Sequence, residues 1–336
     1  MKEAMLYEKM ENQQVQCHLC RHLCRIPEGK RGICAVRENQ GGVLYTLVYR
    51  RLISHNVDPI EKKPMFHFAP GSRSFSIATV GCNFRCDFCQ NYEISQMPRD
   101  GKRIVGEDVA PEEIVAMAKR AGCRTIAYTY TEPTIYFEYA LDIAKRATQE
   151  GLKNIFVTNG YMTEEALKTF HPHLHGANVD LKAFREDFYQ RRCGAKLEGV
   201  LQSLQVMKEL GIWVEITTLI IPGLNDSEAE LQEIAQFIAS LGKETPWHIS
   251  RFHPTYKMLD RSPTSVRILQ RAQQIGLEAG LRYVYTGNVP GDAGEDTVCP
   301  HCGQLLVDRW GFQILKNKIK DKKCAHCGSP IDGVDL

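Results

Sequence analysis

The chain lacks any large excess of charge of one sign. Its 336 residues include 42 Lys and Arg against 40 Asp and Glu, which gives a formal net charge of +2 at pH 7. This balance gives no electrostatic reason to expect binding to duplex nucleic acid or to an anionic membrane surface. The chain also lacks an apolar run of the roughly 18–20 residues that a membrane span requires. Its polar start contains no apolar core of a signal peptide. We therefore expect a soluble, cytoplasmic protein.

Cysteine is the residue type that stands out. There are thirteen, an odd number that excludes complete pairing in disulfides, and a chain of this length needs no disulfide scaffold. All but Cys123 and Cys193 fall into three tight groups, which indicates metal or iron–sulfur ligation in a reducing compartment. These are the N-terminal cysteine group (Cys17, Cys20, Cys24 and Cys34), the central cysteine group (Cys82, Cys86 and Cys89) and the C-terminal cysteine group (Cys299, Cys302, Cys324 and Cys327).

Strand-like and helix-like segments alternate between residues 74 and 290. Repeated strand–helix units predict parallel strands joined by right-handed crossovers. We predict an α/β fold with a partial (βα)6 TIM-type barrel, and a doubly wound sheet is the alternative. In either architecture the active site lies at the carboxyl ends of the strands. Helix starts are predicted at Ser227, with Glu230 at capping-box spacing, and at Ser262-Pro263.

Three parts of the chain follow from these patterns. Residues 1–73 form an N-terminal four-cysteine metal-binding segment and loop, residues 74–290 the core barrel, and residues 295–336 a C-terminal zinc-ribbon-like module. Residues 55–71 are rich in proline and charge and are predicted to be a long loop. Their charged run, residues 58–64, either lines the mouth of the active site or is solvated.

The central cysteine group has C-x3-C-x2-C spacing and directly follows the first strand of the predicted barrel. Three thiolates can hold three irons of a [4Fe–4S] cubane. The fourth iron then keeps an open coordination position, at which a substrate or cofactor can bind. A zinc site with a distant fourth ligand is the alternative. The position after the first strand of an α/β core favours a catalytic centre.

This loop resembles that of the radical SAM superfamily, whose members reductively cleave S-adenosylmethionine (SAM) to a 5′-deoxyadenosyl radical. Phe88 supplies the aromatic residue usual before the last cysteine. The resemblance covers the predicted barrel. It implies a [4Fe–4S] cluster on the central cysteine group as the catalytic centre, SAM as cofactor, and an electron donor such as flavodoxin or ferredoxin.

Further segments are similar to pyruvate formate-lyase activating enzymes, and they imply cofactor contacts at successive strand ends. The segment Tyr130-Thr131-Glu132-Pro133 stands where those enzymes have Gly-Gly-Glu-Pro, which binds the SAM amino group. Val157 replaces an aspartate of the relatives, and Thr217 replaces a SAM-binding arginine. The cofactor-binding residues implied by the resemblance are Phe88, Asn91, Thr131, Glu132, Asn159, Asp180 (ribose), Lys182 (SAM carboxylate) and His253 (adenosine).

The two flanking cysteine groups differ in spacing. The C-terminal group reads C-x2-C-x21-C-x2-C, a spacing that predicts a tetrahedral zinc-ribbon site, with iron as the alternative. The N-terminal group reads C-x2-C-x3-C-x9-C, which leaves zinc and an auxiliary iron–sulfur cluster open. An auxiliary cluster would suggest electron relay to the catalytic one.

The two isolated cysteines are predicted to be packed residues. Cys123, at the end of a predicted helix, is most simply a small buried hydrophobe. Cys193 follows the fourth strand beside Arg191 and Arg192. These cations could lower the pKa of its thiol, so a reactive thiol is the alternative.

Five segments together resemble the AmmeMemoRadiSam-system radical SAM enzymes, and this resemblance covers nearly the whole chain. They are residues 17–39 with the N-terminal cysteine group, 58–64, 81–95 with the central cysteine group, 128–134, and the C-terminal cysteine group. This resemblance implies Memo-like and AMMECR-like partners, beside an unknown protein or small-molecule substrate from which hydrogen is abstracted. The competing hypothesis is a zinc-ribbon nucleic-acid- or partner-binding protein with a redox-sensing cluster. Five lysines between residues 316 and 323 favour it, but their mostly alternate spacing equally fits an exposed hairpin strand. The near-neutral net charge argues against nucleic acid.

Overall fold

A computed structural model describes residues 1–289, 291 and 293–336. The N-terminal part consists of short antiparallel strands, which pair as β1–β6–β5 and β2–β3–β4. Its strands are β1 (Lys2–Glu3), β2 (Tyr7–Lys9), β3 (Val15–Cys17), β4 (Arg25–Ile26), β5 (Arg37–Gln40), β6 (Val43–Thr46) and β7 (Arg51–Leu52).

The middle of the chain contains the strands β8 (Ser54–Pro59), β9 (Arg73–Ala78), β10 (Glu107–Asp108), β11 (Thr125–Tyr128), β12 (Lys153–Thr158), β13 (Gly176–Asp180), β14 (Trp213–Ile220), β15 (Trp247–Arg251) and β16 (Val284–Gly287). The α-helices are α1 (Tyr92–Ser95), α2 (Met97–Asp100), α3 (Pro111–Arg120), α4 (Phe137–Gln149), α5 (Glu164–Phe170), α6 (Glu186–Phe188), α7 (Leu197–Glu209), α8 (Glu228–Leu241) and α9 (Val266–Glu278). A π-helical turn spans Tyr189–Cys193, and short 3-10 turns lie at Glu11–Gln13, Ile60–Lys62, Pro133–Tyr136, His171–His173 and Ala293–Glu295.

The central sheet has eight strands in the order β16-β15-β14-β13-β12-β11-β9-β8. Within this sheet β9 and β11 to β16 are parallel, and β8 is an antiparallel edge strand. A doubly wound sheet reverses its strand order at a switch point. Here each parallel strand lies beside the next one along the chain, so that alternative is wrong. Six strand–helix units precede the last strand, and no pairing between β8 and β16 closes the sheet within the described residues.

The two faces of the sheet have different partners. Ile126 and Tyr128 of β11 pack in the main apolar core with residues of α3 and α4. The residue between them, Ala127, points to the opposite face and packs with Met65 and Phe68. Because side chains alternate along a strand, and because right-handed crossovers in this order place the helices on one side, the opposite face is the interior of the predicted partial barrel.

At the amino ends of the strands, the buried carboxylate of Glu215 holds the chain segment that fills this interior. Glu215 of β14 accepts hydrogen bonds from the backbone N–H groups of Phe66 (3.0 Å) and His67 (2.9 Å). It also pairs with His248 Nε2 of β15 at 2.7 Å. The amino ends of the strands are thereby covered, so the interior opens at the carboxyl ends of the strands.

Two predictions for residues 55–71 are wrong. Ser54–Pro59 is a strand rather than part of a loop, since it pairs with β9 along its whole length. The solvated alternative for the charged run is also wrong for Asp58, Glu61 and Lys63, which are buried, whereas Lys62 is exposed. Asp58 accepts hydrogen bonds from Lys63 Nζ (2.6 Å) and Ser76 Oγ (2.8 Å), and these contacts stabilise the buried charges.

One predicted helix start is confirmed and one is wrong. Ser227 caps α8 and accepts a hydrogen bond from Glu230 N at 3.4 Å. Helix α9 begins at Val266, with Ser265 as its N-cap, rather than at Ser262-Pro263. Thr264 Oγ1 donates a hydrogen bond to the Ile220 carbonyl and accepts one from Phe252 N. These bonds hold the chain extended up to Thr264 and delay the helix.

The C-terminal residues form a small antiparallel unit that packs on Phe66, Tyr283 and Tyr285. Arg309, which is buried, donates hydrogen bonds to the Phe66 carbonyl (3.1 Å) and to Thr297 Oγ1 (2.7 Å). No helix among the described residues is long and apolar enough to cross a membrane. The strands of this unit are β17 (Thr297–Val298), β18 (Leu305–Trp310), β19 (Gln313–Asn317), β20 (Ile319–Lys320) and β21 (Lys323–Cys324).

Candidate active site

The central cysteine group lies in the loop of residues 79–91 between β9 and α1, called the cluster loop below. Its thiols are free, Cys86 is buried, and Cys82 and Cys89 are half-buried. The Cys82 sulfur accepts a hydrogen bond from Phe84 N (3.3 Å), and the Cys89 sulfur lies 3.3 Å from Ser95 Oγ. The loop therefore holds all three sulfurs at the carboxyl end of β9, which is where an α/β fold carries its chemistry.

Gly81 lets the cluster loop leave β9 in close contact with the N-terminal part. Its φ angle of +106° lies in the region that favours glycine. A Cβ added there would lie 2.7 Å from Val36 Cγ1 and 3.4 Å from the Cys34 carbonyl oxygen. A side chain at this position would push the N-terminal cysteine group away from the cluster loop.

Neighbouring loops hold the cluster loop by backbone hydrogen bonds. Arg85 N donates to the Cys193 carbonyl (2.9 Å), and Asp87 N donates to the Arg192 carbonyl (3.0 Å). From the loop after β15, Lys257 N donates to the Asp87 carbonyl (3.0 Å). The cysteines are thus placed by the chain that follows β13 and β15 as well as by their own strand.

Glu132 is a buried acceptor that fixes the loop after β12. It is 3% exposed, and its carboxylate accepts hydrogen bonds from Thr134 N (3.1 Å), Thr158 Oγ1 (2.7 Å) and Asn159 N (2.8 Å). Burial raises its pKa, and these donors lower it. Two of the three donors belong to the end of β12 and the residue after it, so Glu132 sets the position of Asn159.

Asn159 brings polar atoms without partners beside a cysteine of the central group. Its Nδ2 atom lies 2.8 Å from Asn83 Oδ1 and 3.9 Å from the Cys82 sulfur. Asn159 Oδ1 and Asn83 Nδ2 are buried and have no hydrogen-bond partner in the described structure. Buried polar groups are normally satisfied, so this donor and acceptor fit a polar ligand bound at the cluster loop.

Tyr130 stands in place of the first glycine of the Gly-Gly-Glu-Pro segment and adopts a backbone conformation that glycine favours. Its φ angle is +61°, a conformation that costs a non-glycine residue free energy. Asn91 Nδ2 donates to the Tyr130 carbonyl (2.9 Å), and the Tyr130 hydroxyl donates to Asp58 Oδ2 (2.6 Å). Thr131 Oγ1 donates to the Thr79 carbonyl (2.8 Å). These bonds hold the strained turn in place.

Lys182 brings a positive charge to the cluster loop. Its Nζ atom lies 2.8 Å from Asp180 Oδ2 and 5.9 Å from the centre of the Phe88 ring. Burial lowers its pKa, but Asp180 and then the Cys86 and Cys193 thiols raise it, and the net pKa lies well above the usual value. Lys182 therefore remains protonated and available to an anionic ligand group.

His253 lies outside this polar cluster. It is exposed on the loop after β15, and its side chain is not part of the hydrogen bonds described for the cluster loop. Sequence analysis missed a contact from the same loop: the Tyr256 ring stacks on the Tyr92 ring, with centroids 4.5 Å apart and an interplanar angle of 14°. No local pattern marks this pair, because Tyr92 of α1 and Tyr256 are far apart in the sequence.

Cys193 is a packed residue, as predicted, and so is Cys123. The thiols of Cys193 and Cys86 hydrogen-bond each other, and burial raises the pKa of Cys193 well above the usual value. Burial of Cys193 and the ion pair of Arg192 with Asp87 at 3.3 Å favour the packed residue over the reactive thiol.

The C-terminal cysteine group is arranged for a single metal ion. Its four sulfurs all lie within 4.8 Å of one another, with Cys299 and Cys327 3.7 Å apart and Cys302 and Cys324 3.8 Å apart. Zinc at about 2.3 Å from each of four tetrahedral sulfurs requires sulfurs about 3.8 Å apart. The side chain of Ser329 lowers the pKa of the Cys327 thiol by hydrogen bonding, which favours the thiolate that a metal binds.

The N-terminal cysteine group is more widely spaced. Burial raises the pKa of Cys20, and charge on each of the other three thiols raises it further. In the part of the chain that the structure describes, only the C-terminal group brings three or more ligand atoms of Cys, His, Asp or Glu within 4.8 Å of one another. The two flanking groups therefore differ in geometry as well as in sequence spacing.

Comparison with known proteins agrees with this arrangement. The model of the radical SAM superfamily matches residues 76–238, which include the cluster loop, Glu132, Asn159 and Lys182. An uncharacterised protein of Methanocaldococcus jannaschii is 48% identical over 335 residues, 99% of each chain. The pyruvate formate-lyase-activating enzyme of Clostridium pasteurianum is 26% identical over 177 residues, 51% of this chain and 71% of that protein.

A solved structure shares the fold. The radical SAM methyltransferase of Sphaerobacter thermophilus aligns with a TM-score of 0.53 over 71% of each chain, at 19% sequence identity. The sequential parallel sheet, the three free cysteines after its first parallel strand and the family match agree with one another. The chain belongs to the radical SAM superfamily.

Proposed function

We propose that the protein is a radical SAM enzyme related in activity to the pyruvate formate-lyase activating enzymes. The observation that carries the proposal is the position of the central cysteine group beside the unpartnered buried atoms of Asn83 and Asn159. A [4Fe–4S] cluster on these cysteines would bind SAM and, when reduced, cleave it to a 5′-deoxyadenosyl radical that takes hydrogen from a substrate. The 26% identity to a pyruvate formate-lyase-activating enzyme over 71% of that protein supports this activity.

The surrounding residues have separate roles in this proposal. Asn159 offers a hydrogen-bond acceptor to the SAM amino group, and Lys182 offers a cation to its carboxylate. Glu132 acts mainly by positioning Asn159, because its oxygens already accept hydrogen bonds from the protein. Phe88, Asn91, Thr131 and Asp180 line or support the same region, and His253 would have to approach from the loop after β15.

Contacts between loops join the chain segments around the site. The Tyr92–Tyr256 stack joins the loop after β15 to α1, and the hydrogen bond from Lys257 N to the Asp87 carbonyl joins it to the cluster loop. At the opposite end of the sheet, Glu215 holds the chain at Phe66 and His67. These contacts suit radical chemistry, which requires protection from solvent.

The reaction is tested on the full chain under anaerobic conditions. The protein, loaded with iron and sulfide, is mixed with SAM and dithionite, and 5′-deoxyadenosine is measured. We expect several turnovers of SAM to 5′-deoxyadenosine and methionine. Failure to form 5′-deoxyadenosine on a fully loaded cluster would reject the proposal. A glycyl-radical signal on a protein partner, Memo-like and AMMECR-like proteins included, would identify an activating enzyme, whereas stimulation by a metabolite would identify a small-molecule substrate.

We further infer that the C-terminal cysteine group holds zinc, that flavodoxin or ferredoxin supplies electrons, and that the protein works in the cytoplasm. The sulfur distances of 3.7 and 3.8 Å support zinc, and the free state of all thirteen thiols suits a reducing compartment.

The zinc site has a direct test. The substitution Cys302→Ala should remove about one zinc per chain and lower the free energy of unfolding by about 2–5 kcal/mol, because a structural metal stabilises only the folded state. Cys302 is exposed, so the loss cannot come from a cavity. Metal analysis and thermal unfolding measure both effects, with Cys123→Ala as the cysteine control that keeps its zinc. An unchanged zinc content in Cys302→Ala would contradict the assignment.

A further inference from the structure

We propose that the N-terminal cysteine group holds an iron–sulfur cluster through which an acidic donor protein delivers electrons to the cluster loop. The inference rests on the proposed function, since it supplies the electron that SAM cleavage requires. It depends on three properties of the N-terminal group: its contact with the cluster loop, the spacing of its sulfurs and the surface around it.

The N-terminal group lies directly against the cluster loop. His22, between two of its cysteines, donates a hydrogen bond from Nε2 to the Asn83 carbonyl (2.9 Å). Arg99 bridges the two segments, because its Nη2 atom donates to the carbonyls of Ile33 (2.9 Å) and Cys82 (3.4 Å). Gly81 lies close to Val36 and to the Cys34 carbonyl, and a Cβ at this position would clash with Val36. Residues adjacent to ligands of both groups thus touch.

The same segment contacts the other side of the candidate SAM site. Cys20 forms a β-bridge with Met162, and Arg21 N donates to the Tyr161 carbonyl at 3.0 Å. Tyr161 and Met162 follow Asn159 within three residues. A centre bound by the N-terminal group would therefore be in contact with both loops that surround the Cys82 sulfur.

The sulfur spacing favours a cluster over a single zinc ion. Four thiolates around one ion must lie within about 4 Å of one another, as those of the C-terminal group do. A cluster spreads its ligands over several iron atoms, so its thiolates lie farther apart. Neither the N-terminal group nor the central cysteine group brings three sulfurs within 4.8 Å of one another, as far as the chain is described, and the two groups share this wider arrangement.

A buried cation accompanies the N-terminal thiols. Arg37 is 1% exposed, and its Nη1 atom lies 3.6 Å from the Cys17 sulfur. Hydrogen bonds and positive charge near the sulfurs favour the reduced form of an iron–sulfur cluster, because that form carries the extra negative charge. Because Arg37 also pairs with the buried carboxylate of Glu138, its contribution to such a cluster would be the hydrogen bond to the Cys17 sulfur rather than a net positive charge.

The surface over the group is apolar at its centre and basic around it. Leu23 and Ile33, each next to a cysteine of the group, are 47% and 48% exposed. Arg25, Lys30 and Arg31 are also exposed on residues 17–34 and outnumber the one exposed carboxylate of this segment, Glu28. An apolar contact with a net positive surround is complementary to a small acidic redox protein, and charges of this kind accelerate association. The surface therefore fits an electron donor of this class.

The proposed transfer needs one electron for each SAM that is cleaved. A donor protein would give this electron to a cluster held by the N-terminal cysteine group, from which the contact at Gly81 leads to the cluster that Cys82, Cys86 and Cys89 would hold. That second cluster would supply the electron that breaks the S–C5′ bond of SAM, with methionine and the 5′-deoxyadenosyl radical as the products. No proton and no second reductant are required.

Iron counting tests the cluster independently of catalysis. A variant with Cys82, Cys86 and Cys89 all replaced by alanine, loaded anaerobically with iron, sulfide and zinc, should keep about two to four irons with equal sulfide. It should also show the Mössbauer spectrum of an iron–sulfur cluster. The single variant Cys86→Ala and the wild type serve as checks on folding, and the wild type should contain about four irons more than the triple variant. A triple variant that contains zinc or a lone iron in place of a cluster would overturn the proposal.

Charge reversal tests the route of the electron. In Arg25→Glu/Lys30→Glu, the rate of 5′-deoxyadenosine formation with limiting reduced flavodoxin should fall about tenfold, because the encounter loses its attraction. The rate with dithionite should remain unchanged. The matched control Lys243→Glu/Arg267→Glu reverses two exposed charges at α8 and α9 and should retain both rates. Equal rates with flavodoxin in both double variants would overturn the docking surface. If the wild type forms no 5′-deoxyadenosine with dithionite, the proposed function itself is wrong.

Discussion

Replacement of Cys86 by alanine is expected to abolish reductive SAM cleavage, with a loss of at least about 1000-fold in the rate of 5′-deoxyadenosine formation. Cys86 is the buried member of the central cysteine group, and its thiol is hydrogen-bonded to the thiol of Cys193. With one of three ligands removed, the cluster loses its protein attachment at that iron, and the loop cannot supply another thiol at the same place. The measurement is product formation with dithionite as reductant, alongside iron and sulfide content.

Cys123→Ala is the matched control for Cys86→Ala. Both cysteines are buried, at 5% and 8% exposure, and both substitutions remove the same sulfur atom. Cys123 lies at the end of α3, away from the cluster loop, so its variant should keep full activity. If Cys86→Ala retains SAM cleavage, the assignment of the catalytic centre is wrong. If the wild type cleaves no SAM but binds nucleic acid through the ribbon in a Cys86-independent manner, the competing binding hypothesis is correct.

The sequence was sufficient to predict the order of strands and helices in the core and the place of the central cysteine group after its first parallel strand. Strand and helix periodicities are local properties, and so is the C-x3-C-x2-C spacing, so both predicted the observed arrangement. The N-cap at Ser227 was predictable for the same reason. The helix start at Ser265 was not, because hydrogen bonds of Thr264 to residues of two other elements determine it.

Strand β8 shows where local reasoning fails. Its sequence contains one large apolar residue, Val57, which is exposed, so no alternation predicts a strand. Pairing with β9 creates it, and Asp58 is buried there because Lys63, Ser76 and Tyr130 surround its carboxylate. These partners come from three different segments, and only the fold brings them together.

The same limit applies to the candidate site. The resemblance identified Glu132 and Asn159 from their motifs, but their bond to each other and the bond of Asn159 to Asn83 depend on three loops meeting. The Tyr92–Tyr256 stack has the same origin. Spacing along the chain thus predicts which residues bind a metal, whereas the residues that position them are visible only in three dimensions.

The second large effect concerns the ion pair that joins the N-terminal part to helix α4. Arg37 of β5 pairs with Glu138 of α4, and both side chains are at most 1% exposed. Met5 contributes to the same contact, because its N–H donates to Glu138 Oε1 (2.7 Å) and its carbonyl accepts from Arg37 Nη1 (2.9 Å). The substitution Arg37→Met should lower the free energy of unfolding by about 3–5 kcal/mol, because it leaves a buried carboxylate without its cation.

The double variant Arg37→Met/Glu138→Leu distinguishes the cost of the unpaired charge from the value of the pair. Replacing both partners by apolar residues of similar volume is often neutral or stabilising, so the double variant should recover most of the loss seen in Arg37→Met. Chemical denaturation of the three proteins measures this. A double variant as unstable as Arg37→Met would show instead that the hydrogen bonds from Arg37 to Met5 and to the Cys17 sulfur stabilise the N-terminal part. In that case Arg37→Met would also lose iron from the N-terminal cysteine group, whereas an unpaired charge alone would leave that iron in place.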